Sequence, residues 1–218
     1  MITVIQCAAS KRPGAGHLRS PGGEPIIFVA DPKVAPPDAT HQYARPDDPF
    51  GTGLSWRQVL VNYNAAAKGN PLHLCPAYQL YNNKTYERLV DCRGAQNVYI
   101  LSAGWGLIRA DFLTPFYNIT FTQSAESYMR RRKTDRYADF RMLPDDTEED
   151  VLFFGGKDYL PLFCALTDRI RGRRTVFYNS VRIPNVPGCV LQRFATTTRT
   201  NWHYECANAF LDGAARVL

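Results

Sequence analysis

Val98–Thr122 reads VYILSAGWGLIRADFLTPFYNITFT, and the order of residue types in it decides the fold. Val98–Leu101 is a short apolar run. It leads into Ser102, Ala103 and Gly104, small residues at which a backbone turns sharply and a ligand can approach it closely. The loop that follows carries Trp105, Arg109, Asp111, Phe116, Tyr117 and Asn118. An aromatic face, a cation, a carboxylate and an amide beyond the carboxyl end of a strand form the polar cluster expected where open α/β sheets bind ligands. Buried packing alone does not call for Arg109 and Asp111 beside such a strand.

Outward from this stretch, apolar runs alternate with helical patterns. Ile2–Cys7 reads as a buried first strand feeding the polar loop Ala8–Arg12. The segment from about 13 to 53 is rich in Pro and Gly and reads as a long insertion or lid, with a short strand at Ile26–Ala30. Ser55 caps a helix predicted through about Lys68, and a second helix is predicted over Asn83–Arg93. Ser124–Phe140 reads as a strongly basic helix followed by an acidic turn. Val151–Phe154, Thr175–Tyr178 and Cys189–Phe194 read as further strands, with helices at Leu160–Ile170 and Asn201–Val217. This alternation predicts an α/β fold of three layers around a central four- to five-stranded, mainly parallel sheet, in a single domain spanning 1–218.

Composition bounds the function. The chain has 218 residues, 45% of them hydrophobic and 12% aromatic, enough to fill a core, which excludes a disordered chain. The net charge of +6 is a modest basic excess and by itself weak evidence for a polyanionic partner. No run approaches the length of a membrane-spanning helix and MITVIQCAASKR lacks a signal-peptide layout, so the expectation is a cytoplasmic protein without membrane contact. The six cysteines are scattered, without a C-x-x-C pair, so no metal site is expected. No G-x-x-x-x-G-K loop, Ser–His–Asp set or H-E-x-x-H motif is present. No cofactor is expected, and no obligatory protein partner is evident.

In a parallel sheet the carboxyl ends share one edge, so Cys7–Arg12, Ser102–Asn118, Gly155–Lys157 and Asn179–Asn185 should converge. Gln6, Ser10, Ser102 and Asn179 are the candidate polar substrate contacts, with Trp105, Phe116 and Tyr117 as stacking surfaces. Cations there suit phosphates, amides suit a base edge, and the set fits a nucleotide or an extruded base better than a small acid. Asp111 is the candidate general base or oxocarbenium-stabilising carboxylate, and a salt bridge to Arg109 explains it equally well. Asn118 is a candidate catalytic amide or an ordinary turn residue, and Trp105 a stacking or a packing residue. Lys11 is an alternative amine nucleophile. Arg130, Arg131, Arg132 and Lys133, with Lys157 and Arg182, are the candidate contacts to a phosphate backbone. A solvated helix face balanced by Glu126, Asp135 and Asp139 is the competing reading of the basic run.

Three segments carry a family resemblance. ILSAGWGLIRADFLTPFYNITF is similar to the strand-and-loop signature of the YaaA-like proteins, where a small-residue turn leads to Tyr/Trp–Gly–Leu, an acidic position and Pro–x–Tyr. VIQCAASKR resembles the opening strand and Ser–Lys loop of related bacterial and phage proteins, and LYNNKTYERL matches their tyrosine before a short helix. With the segments quoted next, the resemblance covers about a third of the chain. The resemblance implies a uracil-DNA-glycosylase-like fold and a DNA-facing enzyme that excises a modified base, hypermodified phage bases included, in phage defence. VLFFGGKDYLPLF then resembles the glycosylases' third strand and helix. VFYNSVRIP falls at their final catalytic and DNA-intercalating loop. Two positions depart from the glycosylases. Ala8–Ala9–Ser10–Lys11 stands where they usually carry an Asp or Asn, and Asn179–Ser180 where they often carry a His. Hydrolysis would then need Asp111 to supply the carboxylate.

The expected function is therefore a metal-independent DNA glycosylase hydrolysing the N-glycosidic bond of a flipped, modified base. Two rival classes remain. One is a non-catalytic DNA-binding stress-response module, recognised by salt-dependent affinity without base release. The other is a base-processing enzyme of free nucleosides or nucleotides, recognised by activity without duplex binding.

Overall fold

The computed structural model describes residues 1–51, 53–66, 69–132 and 134–215. In chain order the elements are β1 (Ile2–Gln6), β2 (Ile26–Val29), β3 (Gln42–Ala44), β4 (Pro49–Phe50), β5 (Leu54–Ser55), α1 (Trp56–Ala65), β6 (Cys75–Pro76), α2 (Ala77–Leu80) and α3 (Lys84–Arg93). There follow β7 (Val98–Ser102), β8 (Gly106–Arg109), β9 (Leu113–Thr114), β10 (Tyr117–Asn118), β11 (Phe140–Arg141), β12 (Val151–Phe154), α4 (Leu160–Leu166), β13 (Arg174–Tyr178), β14 (Val190–Arg193) and α5 (Trp202–Leu211).

A seven-stranded sheet runs β11-β8-β7-β1-β12-β13-β14. Five strands, β7-β1-β12-β13-β14, are mutually parallel, as the apolar runs predict. The other two enlarge the predicted sheet. β8 folds back antiparallel on β7, with Tyr99 opposite Arg109 and Ser102 opposite Gly106, and β11 pairs parallel to β8. Gly106 makes the tight reversal possible: its φ is +90, and a Cβ there would lie 2.7 Å from the Phe140 backbone.

Helices cover both faces. Consecutive residues of a strand point to opposite sides; Phe153 stacks on Phe163 of α4 at 4.5 Å, while Phe154 meets Phe210 of α5 at 5.7 Å. The central strands are accordingly apolar on both faces, and Val4, Ile5, Ile100, Leu101 and Val151–Phe154 are fully buried. Local signals set the helix starts. Ser55 and Gln58 form a reciprocal capping box on α1, and Asn83 accepts from Thr85 N at 2.9 Å to start α3. α1 ends at Ala65, short of the predicted Lys68, a position outside the described residues.

One expectation is extended and another corrected. The segment 13–53, read as a long insertion or lid with a short strand at Ile26–Ala30, is anchored in the fold: β2 sits in a parallel three-stranded sheet, β10-β2-β3, and Leu18, Ile26 and Phe28 join the main core. Among its described residues Ser124–Phe140 forms no helix. Thr120 bridges to Arg130, short turns and irregular backbone make up the described residues of the segment, and it ends in β11. A helix would spread its arginines around a cylinder, whereas Arg131 is drawn inward to a buried carboxylate. Among the described residues no helix is long and apolar enough to cross a membrane.

Candidate active site

The chain leaves β1 and returns on either side of it, β7 on one flank and β12 on the other, so the strand order reverses at β1. Ligands of open α/β sheets bind at the carboxyl edge beside such a reversal. Here the edge is tied together across β1 and β12, because Gly156 N donates to Gln6 Oε1 at 2.6 Å. Cys7, the next residue, is buried, with Sγ 3.2 Å from the Tyr159 hydroxyl and accepting from Ala103 N at 3.4 Å.

The loop after β1 is held by the turn between α2 and α3. Arg12 N donates to Leu80 O at 2.8 Å, Asn82 N donates to Ser10 O at 3.3 Å, and Lys11 bridges to Tyr81. This pins Lys11 over the Tyr117 ring, its Nζ 4.1 Å from the centroid, while Nζ donates to Ala9 O at 3.2 Å. Lys11 is half-buried by accessible surface, with its amine sunk deep among protein atoms. Burial lowers its ammonium to about 8, against a smaller opposing influence of Cys7.

Below Lys11 runs a chain of buried hydroxyls. The Ser102 hydroxyl donates to the Tyr117 oxygen at 2.9 Å, and the Tyr117 and Tyr81 hydroxyls are 2.8 Å apart. Ser102 Oγ also accepts from Gly104 N and Trp105 N, so it fixes the turn after β7. Tyr86 donates to Gln6 O at 2.8 Å and contacts the Tyr204 hydroxyl at 3.0 Å. Burial pushes Tyr81, Tyr86, Tyr117 and Tyr159 well above the phenol range, which keeps them neutral donors. The result is one amine above a neutral, hydroxyl-rich floor.

On the other flank of β1, a crevice of about 260 Å³ opens between Gly155–Lys157 and Asn179–Ser180, with Tyr178 and Trp202 as aromatic walls and Arg199 at its margin. Asn179 Nδ2 donates to Thr198 O at 3.3 Å. Beside it, Val181 and Ile183 are 89% and 64% exposed on either side of the exposed Arg182.

The predicted residues divide accordingly. Gln6, Ser10, Lys11, Ser102, Lys157 and Asn179 share the carboxyl edge, with Arg182 on the adjoining tip. Asp111 is elsewhere. Because β8 runs back along β7, Ala110 N donates to Val98 O, and Arg109–Asp111 end up at the opposite edge as an exposed ion pair. Trp105 is fully buried, stacked on Phe140 at 6.2 Å and edge-on to Phe28, so it packs rather than stacks on a ligand. Tyr117 is fully buried under Lys11 and offers no open face. Phe116 turns to a different cavity, and Asn118, half-buried on β10, pairs with Val29. Arg131 is buried against Asp139 and unavailable to phosphate. Arg130 and Arg132 line a separate polar cavity with Lys33 and Arg45, and Lys133 lies outside the described residues.

The residues missing from the sequence prediction are Cys7, Tyr81, Tyr86, Tyr159 and Tyr204. Tyr81 and Tyr86 stand in LYNNKTYERL, and the asparagine cap between them was the available signal that both tyrosines flank a turn facing the first loop. Among the described residues no group of three or more His, Cys, Asp or Glu could hold a metal ion. Set against protein-family models, curated proteins and solved structures, the chain gives no match in any of the three.

Proposed function

We propose that the protein is a DNA glycosylase that releases a modified base from DNA, with Lys11 as its amine nucleophile. The carrying observation is the Lys11 amine, lowered to about 8 and held over Tyr117 at the carboxyl edge. An amine so lowered is a nucleophile at neutral pH, as Schiff-base lysines are. The parallel sheet with its crevice at this edge is in keeping with the uracil-DNA-glycosylase-like architecture that the resemblance implies. With Asp111 at the far edge, the amine route takes precedence over the carboxylate route.

In this reading the base enters the crevice between Gly156 and Asn179, against Tyr178 or Trp202, and its sugar faces Lys11. Neutral Lys11 Nζ attacks C1′ of the deoxyribose. The N-glycosidic bond breaks, its electron pair leaves with the base, and water supplies the base's proton while taking one from nitrogen. The nitrogen lone pair then opens the C1′–O4′ bond, O4′ takes a proton from water, and the iminium so formed is hydrolysed by water to an abasic site, free Lys11 and the returned proton. Lys157 and Arg182 hold flanking phosphates, and Val181 and Ile183 fill the stack that the base vacates.

The test is borohydride trapping on single- and double-stranded DNAs carrying glucosylated or otherwise modified bases. Wild type should release base and form a reduced covalent adduct, and Lys11→Ala should do neither. Release without an adduct, undiminished in Lys11→Ala, would overturn the amine route. Salt-dependent binding with no release from any DNA would establish a binding module instead.

A further inference from the structure

Phe116 and Tyr117 are consecutive, yet they face different surroundings. Tyr117 lies under Lys11, whereas Phe116 walls a cavity of about 560 Å³ together with His17, His41 and His73. Ile27, Pro71 and Leu72 make its apolar lining, and Arg19 contributes an exposed cation. The volume is within the range of small-ligand pockets.

The walls are flat and aromatic. The His17 ring lies 5.0 Å from that of His41 and 5.5 Å from that of Phe116, tilted by 48° and 41°. His17 Nδ1 is 2.9 Å from Ile26 O, so this nitrogen carries the hydrogen and the other is left as an acceptor. Burial holds His17 below the usual histidine range, which keeps the ring neutral. Three histidines suggest a metal, but among the described residues no such group could hold one.

The backbone around the cavity is tightly specified. His73 has φ 51, a left-handed conformation uncommon for any residue but glycine. Gly16 N donates to His73 O at 3.0 Å, and a Cβ on Gly16 would lie 1.9 Å from Leu72 O. Phe116 N donates to Gly16 O at 2.8 Å, which ties the aromatic wall to the same loop. That loop is the direct continuation of Lys11–Arg12.

We propose that this cavity is a stacking subsite for a nucleotide, with the base held among Phe116, His17 and His41 and its phosphate held by Arg19. The neutral His17 ring keeps one acceptor nitrogen for the edge of a heterocycle, and every nucleobase offers a π-face to the aromatic rings. A single guanidinium at the rim matches one phosphate. The inference rests on the glycosylase reading and extends it by assigning a place to a second base of the same strand, on the loop that continues from Lys11, and it is tested without base release.

The probe is 2-aminopurine deoxyribonucleoside 5′-monophosphate, whose fluorescence is quenched on stacking. Wild type should quench it saturably. Phe116→Ala should weaken binding roughly five- to hundred-fold, the range of losing one stacking partner. His41→Ala should weaken it with Tm unchanged, which keeps the test decisive if Phe116→Ala fails to fold. Lys11→Ala should quench as wild type does, so that failure of the amine chemistry and failure of this subsite are read separately. Absence of saturable quenching would overturn the proposal. So would quenching that is lost in Lys11→Ala and kept in His41→Ala, because the nucleotide would then sit at the carboxyl edge.

Discussion

Arg131 gives both ends of its guanidinium to Asp139, at 2.8 and 2.6 Å, and reaches Ala103 O at 2.9 Å with the same Nη1. Arg57, equally buried, donates to Gly104 O at 2.8 Å and Trp105 O at 3.0 Å and pairs with Asp47. Two guanidiniums thus hold three successive carbonyls of the turn between β7 and β8. Two carboxylates balance their charge, which makes the burial tolerable. This turn sets Ser102 in position beneath Tyr117 and so reaches the candidate site through the backbone.

Arg131→Ala strips the buried Asp139 of its bidentate partner, leaving it only Arg57 at 3.9 Å, and takes the donor from Ala103 O. Removing one member of a buried pair typically costs about 3–5 kcal/mol. Arg130→Ala, which loses only a surface contact to Gln123 O, should change stability by less than about 0.5 kcal/mol. Urea denaturation of the two variants separates the roles, and equal stabilities would refute the assignment of Arg131 to the turn.

Asp111→Ala removes an exposed ion pair with Arg109 at the edge away from Lys11. Exposed pairs contribute at most about 1 kcal/mol. The variant should therefore fold with a similar urea midpoint and keep the base release of wild type. Loss of release with an intact fold would return the carboxylate to the mechanism.

The five parallel strands were legible because each is an apolar run closed by polar or small residues, and α1 and α3 because Ser55 and Asn83 carry cap chemistry. The β7–β8 hairpin was hidden. GLIR follows a Gly-Trp-Gly turn and reads as loop, so Asp111 was assigned to the wrong end of the sheet. Lys11 and Ser10 were legible as the loop after a first strand. The tyrosine floor was not, since Tyr81, Tyr117, Tyr159 and Tyr204 are far apart in sequence and meet only through tertiary packing. The basic run misled for the same reason: nothing within Arg130–Lys133 marks Arg131 as the partner of a carboxylate eight residues away.

His203 is buried in α5, and its Nε2 has no hydrogen-bond partner among the described residues. Burial lowers its pKa from the usual 6.5 to about 4. Between these values the unfolded chain binds more protons at this site than the folded one, so stability rises with pH through that window and is lost on acidification. The full span corresponds to about 3 kcal/mol. His203→Leu should leave stability at pH 7 unchanged or improved and should flatten the loss between pH 6.5 and 4. Thermal melts across that range check it, and an unaltered pH slope in the variant would refute the role.

Lys11 carries the sharpest functional prediction. With its ammonium at about 8, only about a tenth is free amine at pH 7. Single-turnover base release limited by this amine should rise nearly tenfold per pH unit below 7 and level off above about 8. Lys11→Arg keeps the charge over Tyr117 but supplies no nucleophile, so it should bind DNA and release nothing. Were Lys11 present only to attract phosphate, Lys11→Arg would retain activity and the rate would not follow a group titrating near 8. Measuring both the pH profile and the arginine variant distinguishes nucleophile from electrostatic anchor, because only the first requires the amine to lose its proton.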